Sequence, residues 1–235
     1  KESVGINGGS ISITTSATGK KGISTDGSLY MAGGTVSIVS TSDAGISDGE
    51  LTGAAGIKAD GIFSIDGGNL NVTVSGKGCK GISCDSDGKF NGGTVTVKAT
   101  GANYGNSSSQ RPGWSDASSS KSSKGIRFEG NLEFNGAAVE VVSAAHEGIE
   151  AKGTISITAG ALISTASDDA LNSGSHLTIS GGTVRAISTG NDGIDANGNM
   201  YIKGGYIYAV GSGSPELGLD ANTEQSFKLY ISGGT

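Results

Sequence analysis

Asp192-Gly193-Ile194-Asp195-Ala196-Asn197-Gly198 decides how this chain is read, because weaker copies of it recur along the sequence. Glu147-Gly148-Ile149-Glu150-Ala151-Lys152-Gly153 and Asp169-Ala170-Leu171-Asn172-Ser173-Gly174 precede it, and Leu217-Gly218-Leu219-Asp220-Ala221-Asn222 follows. A segment that returns at a regular interval is a structural unit of a repeat protein, so the interval is the first quantity to extract.

A second marker gives that interval. The doublet Gly-Gly, degraded once to Gly-Ala and once to Ala-Gly, begins at positions 8, 33, 67, 92, 136, 159, 181, 204 and 233, so successive spacings are 25, 34, 25, 44, 23, 22, 23 and 29. One unit is therefore about 23 residues, with larger insertions near 45–55 and 102–123. Apolar residues stand four and two places before most doublets, as in Leu29/Met31, Phe63/Ile65 and Leu177/Ile179, and a second alternation follows, as in Thr35-Val36-Ser37-Ile38. Period-2 alternation is the mark of a strand with one buried face. The Gly-Ile anchor supplies a third short strand. Three strands per turn without helical periodicity predict an all-β fold, a right-handed single-stranded parallel β-helix in one domain over residues 1–235. A sandwich or propeller requires longer units or irregular strand order. Both ends fall inside a coil, so the natural chain is expected to be longer.

Composition agrees. With 43 Gly, 2 Pro and 5% aromatic residues among 235, a large-hydrophobe globular core is hard to assemble, whereas many small stacked cores are not. A net charge of -6 without a basic stripe argues against a nucleic-acid partner. No apolar run approaches the roughly 20 residues of a transmembrane helix. Cys79 and Cys84 flank a repeat anchor and form neither a metal framework nor a disulfide scaffold; they pair with each other or fill small spaces.

Alignment on the anchor glycine reveals two columns. The residue before it reads Lys21, Ala55, Lys80, Lys124, Glu147, Asp169, Asp192, Leu217, and the residue two after it reads Ser24, Lys58, Ser83, Arg127, Glu150, Asn172, Asp195, Asp220. The first half is basic and the second acidic. In the first inserted unit the anchor is Gly45-Ile46 or Gly56-Ile57. Like charges stacked at the ~4.8 Å rung spacing repel by about 1 kcal/mol even in water. A cation between rungs relieves this, and Ca²⁺ takes oxygens at roughly 2.3–2.6 Å. Glu147, Glu150, Asp168, Asp169, Asn172, Asp192, Asp195 and Asp220 form the candidate ligand pool. The alternative is a solvated acidic edge, or salt bridges from Lys124 and Arg127 to Glu147 and Glu150. His146 and His176 have no second partner at ligand spacing and read as surface residues.

Aromatic residues are the other candidates. Tyr206 and Tyr208 alternate outward on one strand, with Tyr201 on the strand before, and exposed rings of this kind accept the C–H faces of sugars. They could equally cover an edge. The second insertion holds Tyr104 and Trp114 with Arg111, Pro112, Asp116 and nine serines, and reads as a binding loop or a Ser-rich excursion.

On the repeated Asp-Gly-Ile-Asp-Ala-Asn-Gly and Gly-Gly-Thr-Val units, the chain resembles a family of secreted bacterial carbohydrate-binding β-helix domains. The resemblance covers nearly the whole chain and is most specific over 125–235. It implies a fold similar to that of calcium-containing polysaccharide lyases, binding of plant polysaccharides such as cellulose and pectin without clear catalysis, and calcium at Asp169, Asp192 and Asp195. The first four units depart from it with Lys, Ala or Ser in the ligand columns. The expected protein is a secreted or cell-surface monomer that binds polysaccharide and Ca²⁺. Two alternatives stand beside it. One is a calcium-dependent uronate lyase with Lys124, Arg127, Lys152 or Arg185 as base; the other is a stalk or adhesin module.

Overall fold

The computed structural model describes residues 2–47, 49–105 and 120–235. The chain winds into a β-solenoid of about 9 turns with roughly 25 residues per turn. Each complete turn contributes strand to each of three faces, and the last contributes only to the first. The first face holds the strands before the doublet, from Val4–Ile6 through Leu29–Met31 and Phe63–Ile65 to Leu229–Gly233. The second holds those after it, from Ser10–Thr15 and Thr35–Ser40 to Tyr206–Val210. The third is the anchor face, an eight-stranded sheet running from Lys21–Thr25 to Leu219–Asp220. Among the described residues all strand pairing between coils is parallel, and the single antiparallel strand pair is the hairpin Gly45–Ser47 with Glu50–Thr52. Among the described residues the one helical element is the 3-10 turn Thr223–Gln225.

The doublet spacings equal the register offsets of the first face. Val4 pairs Leu29, Leu29 pairs Phe63, Phe63 pairs Gly88, and Gly88 pairs Leu132. Thus the 34- and 44-residue intervals advance the solenoid by one rung, as the 22-residue interval from Ile155 to Leu177 does. The hairpin accounts for the first insertion and settles the ambiguous anchor: Ile57 pairs Ile23 and Ile82, whereas Ile46 is exposed in the hairpin. At Gly34 the doublet turn adopts φ +88°, a conformation that favours glycine. Where the doublet is Gly136-Ala137 or Ala159-Gly160, strand runs through the corner, giving the 12-residue strands Leu132–Ser143 and Ile155–Ala166.

The interior is filled by Ile, Val and Leu columns, with one aromatic stretch of Phe63, Phe90, Phe128 and Phe134. Phe90 stacks on Phe134 at 5.1 Å and meets Phe128 edge-on at 6.3 Å. Gly88 replaces the usual apolar residue of its strand for a steric reason: a Cβ there would lie 2.4 Å from the Phe128 ring. Cys79 and Cys84 are free and buried. They sit five residues apart on one extended strand, about 16 Å, far beyond the ~7 Å between Cα atoms that a disulfide bridges.

Candidate functional site

The anchor face stacks its columns as the sequence alignment orders them. Lys58 pairs Ser24 and Ser83, Arg127 pairs Ser83 and Glu150, Asn172 pairs Glu150 and Asp195, and Asp195 pairs Asp220. The glycine column makes this stacking close. A Cβ at Gly125 would lie 2.4 Å from the carbonyl oxygen of Gly148 on the next coil, and 2.3 Å from Val141.

Where the columns change sign, charges pair. Lys124 Nζ lies 2.6 Å from Glu150 Oε2 and 3.0 Å from Glu147 Oε2, and Arg127 Nε is 3.2 Å from Glu150. Lys152 Nζ also donates to Glu150. Burial pushes the Glu150 carboxyl up, but the Lys124 and Lys152 partners outweigh it and hold it down at about 2. His146 joins this group through Glu147 and Asp168, 3.0 Å from the latter. Burial disfavours its charge, yet the Asp168 and Glu147 carboxylates beside it outweigh this and raise its pKa to about 9. Sequence reading missed this because nothing in the residue order shows that the loop carrying His146 folds back onto Asp168, one coil on.

Further along, the acidic column loses its basic partners. One ligand oxygen from each of Asp192, Asp195 and Asp220 lies within 4.8 Å of the others. None of the three forms a salt bridge among the described residues. Asn172 Nδ2 donates to Asp169 at 2.8 Å and to Asp195 at 3.0 Å, and the Asp192 amide donates to Asp169 Oδ1 at 3.0 Å. Burial, reinforced by the charges of Asp169, Asp220 and Asp192, lifts Asp195 to about 7. Burial likewise lifts Asp169 to about 6 against its hydrogen bonds. These acidic groups could hold a metal ion. Two oxygens bound to one Ca²⁺ at ~2.4 Å lie at most ~4.8 Å apart, which the aspartate trio satisfies. His146, Glu147 and Asp168 form a second cluster of suitable size, but Lys124 already supplies its cation.

The eight candidate ligands thus divide. Glu147, Glu150 and Asp168 face basic side chains, Asp169 and Asn172 bridge the two groups, and Asp192, Asp195 and Asp220 stand together without a counter-charge among the described residues.

The tyrosines divide too. Tyr206 and Tyr208 point outward on the second face, 54% and 49% exposed, and neither contacts another ring among the described residues. Tyr201 lies across the doublet turn on the first face. Its ring stacks on Tyr230 at 5.1 Å and 7°, with Lys203 Nζ 5.4 Å from its centroid. His176 meets both Tyr201 and Phe227 edge-on, and its Nδ1 accepts the Asn199 amide at 2.8 Å. Tyr104 bridges Lys121 at the base of the long insertion. Trp114, with Arg111, Pro112 and Asp116, lies outside the described residues.

A family described as "Carbohydrate-binding domain-containing protein" matches residues 1–170, which include the basic half of the anchor face and the start of the acidic half. No curated protein and no solved structure matches. No helix among the described residues is long and apolar enough to cross a membrane.

Proposed function

The chain belongs to the family of carbohydrate-binding domain-containing proteins, and from that premise we propose that it is an extracellular, monomeric polysaccharide-binding domain, secreted or held at the cell surface, with calcium between its acidic rungs and no catalytic activity. The observation that carries the sugar contact is the outward pair Tyr206 and Tyr208. On one strand, residues two apart lie on the same side ~6.6 Å from each other. Their unstacked rings offer apolar faces to pyranose C–H groups while the hydroxyls remain free to hydrogen-bond. Tyr201, stacked on Tyr230, stiffens the neighbouring corner.

Calcium is supported by the donor chemistry: three carboxylates at a spacing one ion spans, with no counter-charge among the described residues. Asp192, Asp195 and Asp220 would hold it, with Asp169 and Asn172 supporting Asp195. Bound Ca²⁺ would neutralise the column and fix the rungs beside the tyrosine strand. A binding role is supported by the fate of the possible bases. Lys124, Arg127 and Lys152 all serve as counter-charges to Glu150, and Arg185 lies on another face, paired in register with Tyr208.

Pull-down on insoluble polysaccharides and affinity electrophoresis in soluble ones, each with calcium and with EDTA, test this reading. Retention on at least one glycan, weakened in the Tyr206→Ala/Tyr208→Ala variant, is expected. Failure to bind any plant or host polysaccharide in either condition would overturn it. Release of ultraviolet-absorbing unsaturated product from polygalacturonate would establish a lyase instead.

A further inference from the structure

The basic half of the anchor face contains an arrangement that neither the tyrosines nor the aspartates use. Lys21, Ala55 and Lys80 stand in register on three successive coils, and one column over Lys58, Ser83 and Arg127 do the same. Each column places a small side chain between two cations. Coils ~4.8 Å apart put the flanking cations two rungs from each other. The volume missing at Ala55 and Ser83 opens a cavity of about 220 Å³, against about 30 Å³ for one water. Lys21, Lys58, Lys80, Lys121 and Arg127 line it, and among the described residues no acidic side chain does.

The cations are unequally neutralised. Lys58 is paired with Asp60 and Asp85, and Arg127 with Glu129 and Glu150. Lys80 and Lys121 form no ion pair among the described residues, and Lys21 Nζ reaches only Thr52 Oγ1 at 3.5 Å. Burial, with the nearby charges of Arg127, Lys124 and Lys121, pulls Lys80 down to about 8. Uncompensated positive charge around a concave site concentrates anions there, and Arg127 adds a planar donor suited to oxyanions.

We propose that this cavity is an anion subsite that takes an oxyacid substituent of a saccharide, a uronate carboxylate or a sulfate ester, by direct contact with lysine and arginine. The saccharide rests on the function proposed above; the anion rests on the cavity alone. Contact is metal-independent, unlike any calcium bridge at the acidic rungs.

Isothermal titration of the full chain in EDTA, with matched polymers and inorganic sulfate as the bare anion, tests it. The pairs are dextran against dextran sulfate, and fully methyl-esterified against de-esterified polygalacturonate. The charged member of at least one pair is expected to bind about tenfold or more tighter than its neutral partner. Preference for dextran sulfate assigns a sulfate ester, and preference for de-esterified polygalacturonate a carboxylate. The Lys21→Gln/Lys80→Gln variant should lose the preference at an undiminished melting temperature, while Lys98→Gln on the second face keeps it. Equal binding of charged and neutral partners overturns this proposal and spares the glycan reading. So does a preference that survives the double variant or appears only with calcium. Binding of none of the polymers, with or without calcium, overturns this proposal whatever inorganic sulfate does, and leaves the glycan reading to the wider pull-down.

Discussion

Lys124 Nζ and Glu150 Oε2 lie 2.6 Å apart across the rung at which the anchor columns change sign, with only 9% and 2% of their side chains exposed. Glu150 also holds Arg127 and Lys152, so a single carboxylate terminates the basic half of the stack. Removing one partner of a buried pair leaves an uncompensated charge, at a cost of about 3–5 kcal/mol. Glu150→Gln is accordingly expected to lower unfolding free energy by that order in chemical denaturation. A loss under about 1 kcal/mol would mean that the pair is solvated in solution.

Asp195 makes stability depend on pH. Its folded pKa of about 7 exceeds the unfolded value near 3.9, so the folded chain holds this proton more tightly. The contribution is complete below about pH 4 and is lost as pH rises through about 7. Asp169, at about 6, acts in the same sense. His146, raised from about 6.5 to about 9, begins to act in the same sense above about pH 6.5, whereas Glu150, at about 2, changes only below this window. In EDTA the melting temperature should therefore fall between pH 5 and 7.5. Millimolar calcium should remove the aspartate part of the fall, and Asp195→Asn should shrink it to what Asp169, Asp192 and His146 carry. A melting temperature independent of pH in EDTA would contradict this.

The tyrosines should separate by assay. Tyr208→Ala is expected to weaken glycan binding about fivefold, roughly 1 kcal/mol, with little change in melting temperature. Tyr201→Ala, which removes the stack on Tyr230, should act in the opposite way, lowering stability by about 1 kcal/mol and leaving affinity nearly intact. Affinity electrophoresis alongside thermal melts reads both effects.

Gly125→Ala probes the close approach of coils. A Cβ at 2.4 Å from the Gly148 carbonyl must push the next coil away, an overpacking cost of about 1–3 kcal/mol. Gly53→Ala, with nothing within 4 Å of the added atom, is the matched control and should be near neutral. Comparable losses in the two variants would rule out coil contact as the cause.

The path of the backbone was legible because the doublet and the anchor impose it locally: each marks a bend, and apolar residues at fixed distances from it have only one interior to enter. Even the columns of the anchor face align on the sequence alone. Side-chain partnerships were not legible to the same degree. Tyr201 and Tyr206 are five residues apart, yet the turn at Gly204-Gly205 sends them to different faces. His146 read as a surface residue because its partner Asp168 comes from the next coil. Tyr230, which completes the ring stack, escaped notice because its strand follows an interval of 29 residues, where the repeat is stretched. Periodicity specifies which residues share a rung, while rotamers and loop paths decide which of them meet.

The 44-residue offset between Gly88 and Leu132 and the 22-residue offset between Ile155 and Leu177 advance the stack by the same single rung. Axial length is thereby uncoupled from chain length. Since loop closure costs only about 0.6 kcal/mol for each doubling of loop length, a segment of almost any size can be grafted between Gly105 and Ser120 without disturbing the order of side chains along the faces. The solenoid is in this respect a display scaffold: its faces keep their spacing whatever length of chain joins one coil to the next.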